Sequence, residues 1–144
     1  LDFKKLHPAG TLGSQLKTVE DIMITGNKIP FVNENLKTNK ALKILTEKKL
    51  GILVVRDKTK KTKGVITDGQ IRRVSQNNSN FQDLKVKEIM TKKPIFVDKN
   101  VLAAKALSLM NNKRITSLLV YNKKKPSITI GVIHVHNILQ SNIS

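Results

Sequence analysis

Four segments of the chain occur twice, in the same order and at an offset of 64 to 67 residues. VEDIM (19–23) returns as VKEIM (86–90), and IPFV (29–32) returns as KPIFV (93–97) with one residue inserted. KKLGILVV (48–55) returns as KRITSLLV (113–120), and GVITDGQI (64–71) returns as GVIHVHNI (131–138). Four ordered matches restrict the fold to two copies of one structural unit.

Each copy has the same local plan. A short helix carries the Ile-Met pair, and a short strand follows around Phe31 and Val32, or over 95–97. Apolar residues then recur with helical spacing, as Ala41, Leu42 and Leu45 and as Ala103, Ala106, Leu107 and Met110, which predicts helices over 38–49 and 100–113. Thr38 and Asp98 stand just before these patterns as expected N-caps. Strands are expected over 52–56 and 63–67, then over 118–121 and 129–133, with a last helix after each pair. The unit is therefore β-α-β-β-α, and the chain as a whole is α+β. One unit of about 60 residues buries its sheet poorly alone, so two are expected to pack about a pseudo-twofold axis. Met23, Met90 and Met110 read as core.

Charge and composition exclude several functions. Among 144 residues there are 27 Lys and Arg against 10 Asp and Glu, a net charge of +17 that attracts polyanions. The densest lysine runs, 56–63 and 122–126, fall at expected hairpin tips, where charge is normally solvated. Aromatic residues make up only 3% and Trp is missing, so no base-stacking platform is available. No helix-turn-helix or zinc pattern is present, and the expectation is weak, salt-sensitive association with nucleic acid rather than specific binding. Without Cys there is neither a disulfide nor thiol chemistry. No stretch of 18 apolar residues predicts a membrane helix, and LDFKKLHPAG lacks the apolar region of a signal peptide, so a soluble cytoplasmic protein is expected.

The doubled unit, with its Ile-Met pair, a proline before the short strand and Gly-Val-Ile before the last helix, resembles a tandem pair of CBS domains, the Bateman module. HPAGTLG (7–13), VEDIMITGNKIP (19–30), GVITDGQIRR (64–73), RITS (114–117) and GVIHVHNIL (131–139) further resemble the C-terminal part of the D-arabinose 5-phosphate isomerases of the sugar isomerase (SIS) family. That resemblance implies a piece of a longer protein. Residues 1–17 would end and leave a missing SIS domain, 18–80 would form the first CBS repeat, and 81–144 the second. The family interconverts ribulose and arabinose 5-phosphates on the way to the acid sugar Kdo of lipopolysaccharide. His7 would be its catalytic histidine, with Ala9 where a glycine is usual, and would act only together with the missing domain. The chain alone is expected to be inactive as an isomerase and to need no cofactor. Self-association as a CBS-pair dimer, within a tetrameric parent enzyme, is also implied.

CBS pairs typically bind adenosine nucleotides in clefts between their repeats, through a Thr or Ser ending the last strand and an Asp three residues later. Those positions fall on Thr67 and Gln70, and on His134 and Asn137, so neither copy has the aspartate. An amide still bonds a ribose hydroxyl, but without charge assistance. Thr67 and Gln70 also fit a capping box for the final helix. Asp68, Arg72 and Arg73 either face a bound anion from the first turns of that helix or are solvated on its outer side. His134 and His136 would point the same way on a continuing strand, but no further ligand stands near them and no metal is expected. Together with Thr116 these residues form the candidate ligand-binding set. The effector expected is a nucleotide or sugar nucleotide, with CMP-Kdo favoured by pathway logic. The alternative is a structural oligomerisation module with vestigial sites.

Overall fold

The computed structural model describes residues 16–77 and 79–141. In chain order the elements are α1 (Val19–Ile22), β1 (Phe31–Asn33), α2 (Thr38–Lys48), β2 (Ile52–Arg56), β3 (Thr62–Thr67) and α3 (Asp68–Asn77). They are followed by α4 (Val86–Ile89), β4 (Phe96–Asp98), α5 (Ala103–Lys113), β5 (Ser117–Asn122), β6 (Lys125–His134) and α6 (Val135–Gln140). The repeated β-α-β-β-α plan is thus present twice. Each copy forms a three-stranded sheet, ordered β1-β2-β3 and β4-β5-β6. In both, the first pair is parallel and the second antiparallel, with Ile52 opposite Thr67 and Ser117 opposite His134.

The chain divides into two compact units, residues 26–94 and residues 16–25 joined with 95–141. The sequence repeats and these units do not coincide, because each repeat's opening helix packs in the other unit. The reason lies in backbone hydrogen bonding. In the first unit, Val86 N–H donates to the Leu36 carbonyl (2.8 Å), Thr38 N–H to Leu84 (2.8 Å), and Val65 and Thr91 exchange bonds of 3.0 and 2.8 Å. In the second, Val19 N–H donates to Val101 (2.8 Å), Ala103 N–H to Lys17 (2.8 Å), and Ile24 and Val132 exchange bonds of 2.8 and 3.0 Å. Val86 and Ile89 accordingly join the core of Val32, Ala41, Leu45, Leu53, Val55 and Ile66. Val19 joins the core of Val97, Ala103, Ala106, Met110, Leu118, Val120, Ile133 and Ile138.

Two expected caps are replaced. Thr38 is the first helical residue, and its Oγ1 donates to the Leu84 carbonyl (2.8 Å). Asp98 ends β4, where its carboxylate accepts the N–H groups of Asn100 (3.0 Å) and Lys123 (3.1 Å), and α5 begins only at Ala103. Both side chains are claimed by a distant or turn partner before the helix can use them. The β2–β3 tip is tied by Asp57, which accepts from Thr59 N–H (2.8 Å), Thr59 Oγ1 (2.6 Å) and Lys61 N–H (3.0 Å), leaving Lys58, Lys60 and Lys61 exposed around it. Among the described residues no helix is long and apolar enough to cross a membrane.

Candidate functional site

Both candidate sites form where the last strand of a sheet turns into the following helix. A shared backbone bond sets that junction. Asp68 N–H donates to the Gly51 carbonyl (3.3 Å), and Val135 N–H donates to the Thr116 carbonyl (2.9 Å). Gly51 has φ +70°, and a Cβ there would lie 3.3 Å from the Asp68 carboxylate, so the turn before β2 needs glycine both for conformation and for room.

In the first unit, Thr67 is half-buried and its Oγ1 accepts the Gln70 N–H (3.3 Å), as a cap would. The reciprocal half of the expected capping box is not made. The Gln70 amide turns away, its Nε2 donating to the Ile89 carbonyl and its Oε1 accepting from Thr91 Oγ1 (3.1 Å). Both ends of this amide are therefore committed to the segment at the end of α4. Asp68, Arg72 and Arg73 are exposed, and the Arg73 guanidinium folds back to within 3.5 Å of where a Cβ on Gly69 would stand.

The second unit differs at each of these points. His134 ends β6 and caps α6, its Nδ1 accepting the His136 N–H (3.0 Å) and its own N–H donating to Asn137 Oδ1 (2.8 Å). His136 lies in the helix rather than on a continuing strand. The two imidazoles nevertheless stack, with centroids 4.8 Å apart and planes 24° from parallel. Because Nδ1 is an acceptor, the His134 proton sits on Nε2. Burial, and then the neighbouring His136, hold the His134 pKa below its ordinary value and keep the ring neutral. Asn137 is half-buried, and Thr116 is exposed. Among the described residues nothing accepts from His134 Nε2 or Asn137 Nδ2, and no group of three or more His, Cys, Asp or Glu could hold a metal ion.

Ser117 was not singled out by the sequence. It stands opposite His134, and its Oγ is buried with no hydrogen-bond partner among the described residues. A buried hydroxyl left this way is uncommon and costly. The available signal was the repeat itself, since the equivalent position in the first copy is Ile52, which is 5% exposed. His7 lies outside the described residues.

Comparison with known proteins agrees with the doubled architecture. The CBS domain family matches residues 19–77 and again 86–143. Arabinose 5-phosphate isomerase KdsD of Salmonella typhimurium is 39% identical over 143 residues, covering 99% of this chain and 43% of the relative. The chain spans less than half the length of such curated relatives. Among solved structures, CBSX2 in complex with AMP superposes with a TM-score of 0.74 at 23% identity, covering 87% of this chain and 95% of that one. The CBS domain pair of MJ0100, in complex with 5'-methylthioadenosine and S-adenosyl-L-methionine, gives a TM-score of 0.74 at 21% identity, covering 87% and 94%.

Proposed function

The chain belongs to the CBS domain family, which it carries twice, and from that premise we propose that it is the regulatory, self-associating part of a D-arabinose 5-phosphate isomerase. It senses a nucleotide or sugar nucleotide, CMP-Kdo being the leading candidate, and biases the activity or assembly of an attached sugar isomerase domain. The observation that carries this reading is the second strand-to-helix junction, where His134, Asn137 and Ser117 keep polar valences that no described residue satisfies. The adenosine ligands of CBSX2 and MJ0100 support a nucleotide effector. Identity to KdsD across nearly the whole chain supports the isomerase context. Within that context His7 contributes to the catalytic domain, and this region by itself has no isomerase activity.

A second reading, a module that only holds catalytic domains together, is favoured by one feature: the internally tied amide of Gln70. Thermal denaturation at moderate salt with AMP, ATP, CMP, CMP-Kdo and arabinose 5-phosphate separates the two. A ligand at 100 times its Kd adds about 2.7 kcal/mol, a rise of several degrees for a domain of this size. A selective rise with one nucleotide supports the sensor, and no rise with any of them leaves the scaffold.

A further inference from the structure

We infer that effector binding resides in the second repeat alone, at Ser117, His134 and Asn137, and that this cluster takes the carboxylate or phosphate of the effector rather than a ribose diol. This rests on the sensor reading above and deepens it. The valences left over in the cluster are the Ser117 hydroxyl, His134 Nε2–H and Asn137 Nδ2–H, because His134 Nδ1 and Asn137 Oδ1 already accept backbone N–H groups. Ser117 and His134 are cross-strand partners, so their side chains leave the sheet on the same face. The cluster therefore offers donors and no carboxylate. A ribose diol is held most strongly where a carboxylate accepts its O–H groups, and no carboxylate stands here, whereas a carboxylate or phosphate oxygen is matched by the donors that are present. The capping bond to His136 N–H fixes the His134 tautomer, so Nε2–H is available without protonating the ring.

The first repeat differs at each of these positions, with Thr67 in place of His134. Ile52 replaces Ser117, and it faces Thr67 across the strands. Gln70 replaces Asn137, but both ends of its amide are bonded to Ile89 and Thr91. A ligand there would first have to break that tie.

Titration calorimetry of the chain with CMP-Kdo, CMP, free Kdo, AMP and adenosine tests the inference. CMP and free Kdo separate phosphate from carboxylate as the group held. Ser117→Ala should weaken CMP-Kdo roughly tenfold, the usual effect of losing a hydrogen bond to a charged group. Since it deletes an unpartnered hydroxyl, it should not lower the melting temperature of the unliganded chain. Asn137→Asp keeps an oxygen for the His134 N–H but exchanges the free donor for a negative charge; it should weaken the anionic probes by more than tenfold and strengthen adenosine. Gln70→Ala should lower the melting temperature and leave Kd within about twofold. Binding that survives Ser117→Ala and Asn137→Asp but is lost with Thr67→Val overturns the assignment to the second repeat while the sensor reading stands. Tighter binding of adenosine than of CMP-Kdo by the unsubstituted chain overturns the ligand class. No binding of any probe overturns both readings.

Discussion

The Sδ of Met90 lies 2.8 Å from the point where a Cβ on Gly64 would stand, and the Thr91 carbonyl crowds the same point. Met23 and the Ile24 carbonyl occupy the corresponding place against Gly131. The glycine of each Gly-Val-Ile segment is thus open to the methionine of the other copy's Ile-Met pair. This relationship explains in one stroke two motifs that recur separately in the sequence.

Gly64→Ala and Gly131→Ala should each destabilise the fold by about 1–3 kcal/mol, the range for inserting a methyl group into packed structure. The methionine side chains can shift, but the Thr91 carbonyl is held by its exchange of hydrogen bonds with Val65. Gly64→Ala should therefore be relieved only in part by Met90→Ala, as urea denaturation of the single and double variants will reveal.

Gln70→Leu should cost about 1–3 kcal/mol, since it leaves the Ile89 carbonyl and the Thr91 hydroxyl without their partner. Gln70→Glu should be harsher at neutral pH than in mild acid. Its carboxylate faces the Ile89 carbonyl, and protonation restores a donor. Equal stability of the Glu variant at pH 7 and pH 4.5, after correction for the parent chain, would contradict the observed direction of the amide.

The His134 pKa is depressed in the folded chain, so between that value and its ordinary one the unfolded chain binds more protons. Stability should accordingly rise with pH across this window and fall as the solution is acidified below the ordinary value of 6.5. His134→Asn retains a capping acceptor without a titrating group and should flatten the slope. Chemical denaturation midpoints at half-unit pH steps provide the check.

Asp57 and Asp98 have pKa values lowered chiefly by hydrogen bonds, from Thr59 and from the Asn100 N–H respectively. Their contribution is fully present above the ordinary carboxylate pKa of 3.8 and is lost as pH falls through the lower folded values. Asp98→Asn should lower stability at pH 7 and make the remaining acid transition shallower. Carboxyl chemical shifts followed by NMR titration should place both groups below the ordinary carboxylate value of 3.8.

Most strands and both long helices were legible because their signals are local. The alternation and apolar spacing around Leu53, Ile66, Leu118 and Ile133 lie within each segment, and the repeat allowed each copy to check the other. Side chains with more than one possible partner were not legible. Thr38, Asp98 and Gln70 all sit where a cap is chemically suitable, yet each bonds something remote in sequence or in a turn: Leu84, Lys123 and Asn100, and Ile89 with Thr91. Periodicity holds no information about such competition. His134 and Asn137, by contrast, were placed by the family pattern, and their capping bonds involve only neighbours along the chain. Ser117 was not legible because it belongs to no motif, and its peculiarity is a mismatch with the buried Ile52 of the other copy.

The unit of residues 26–94 is continuous, while its counterpart is assembled from residues 16–25 and 95–141. During synthesis the continuous unit has all its strands once Pro94 has left the ribosome. The strip bearing Val19 must wait, because its hydrogen-bonding partners at Val101 and Val132 have not yet been made. The chain therefore has a built-in order of completion, inner part first and outer part last. Until β6 emerges, the earliest apolar residues of the described chain stand without their sheet, and that interval is when a nascent chain of this kind is most exposed to misassembly.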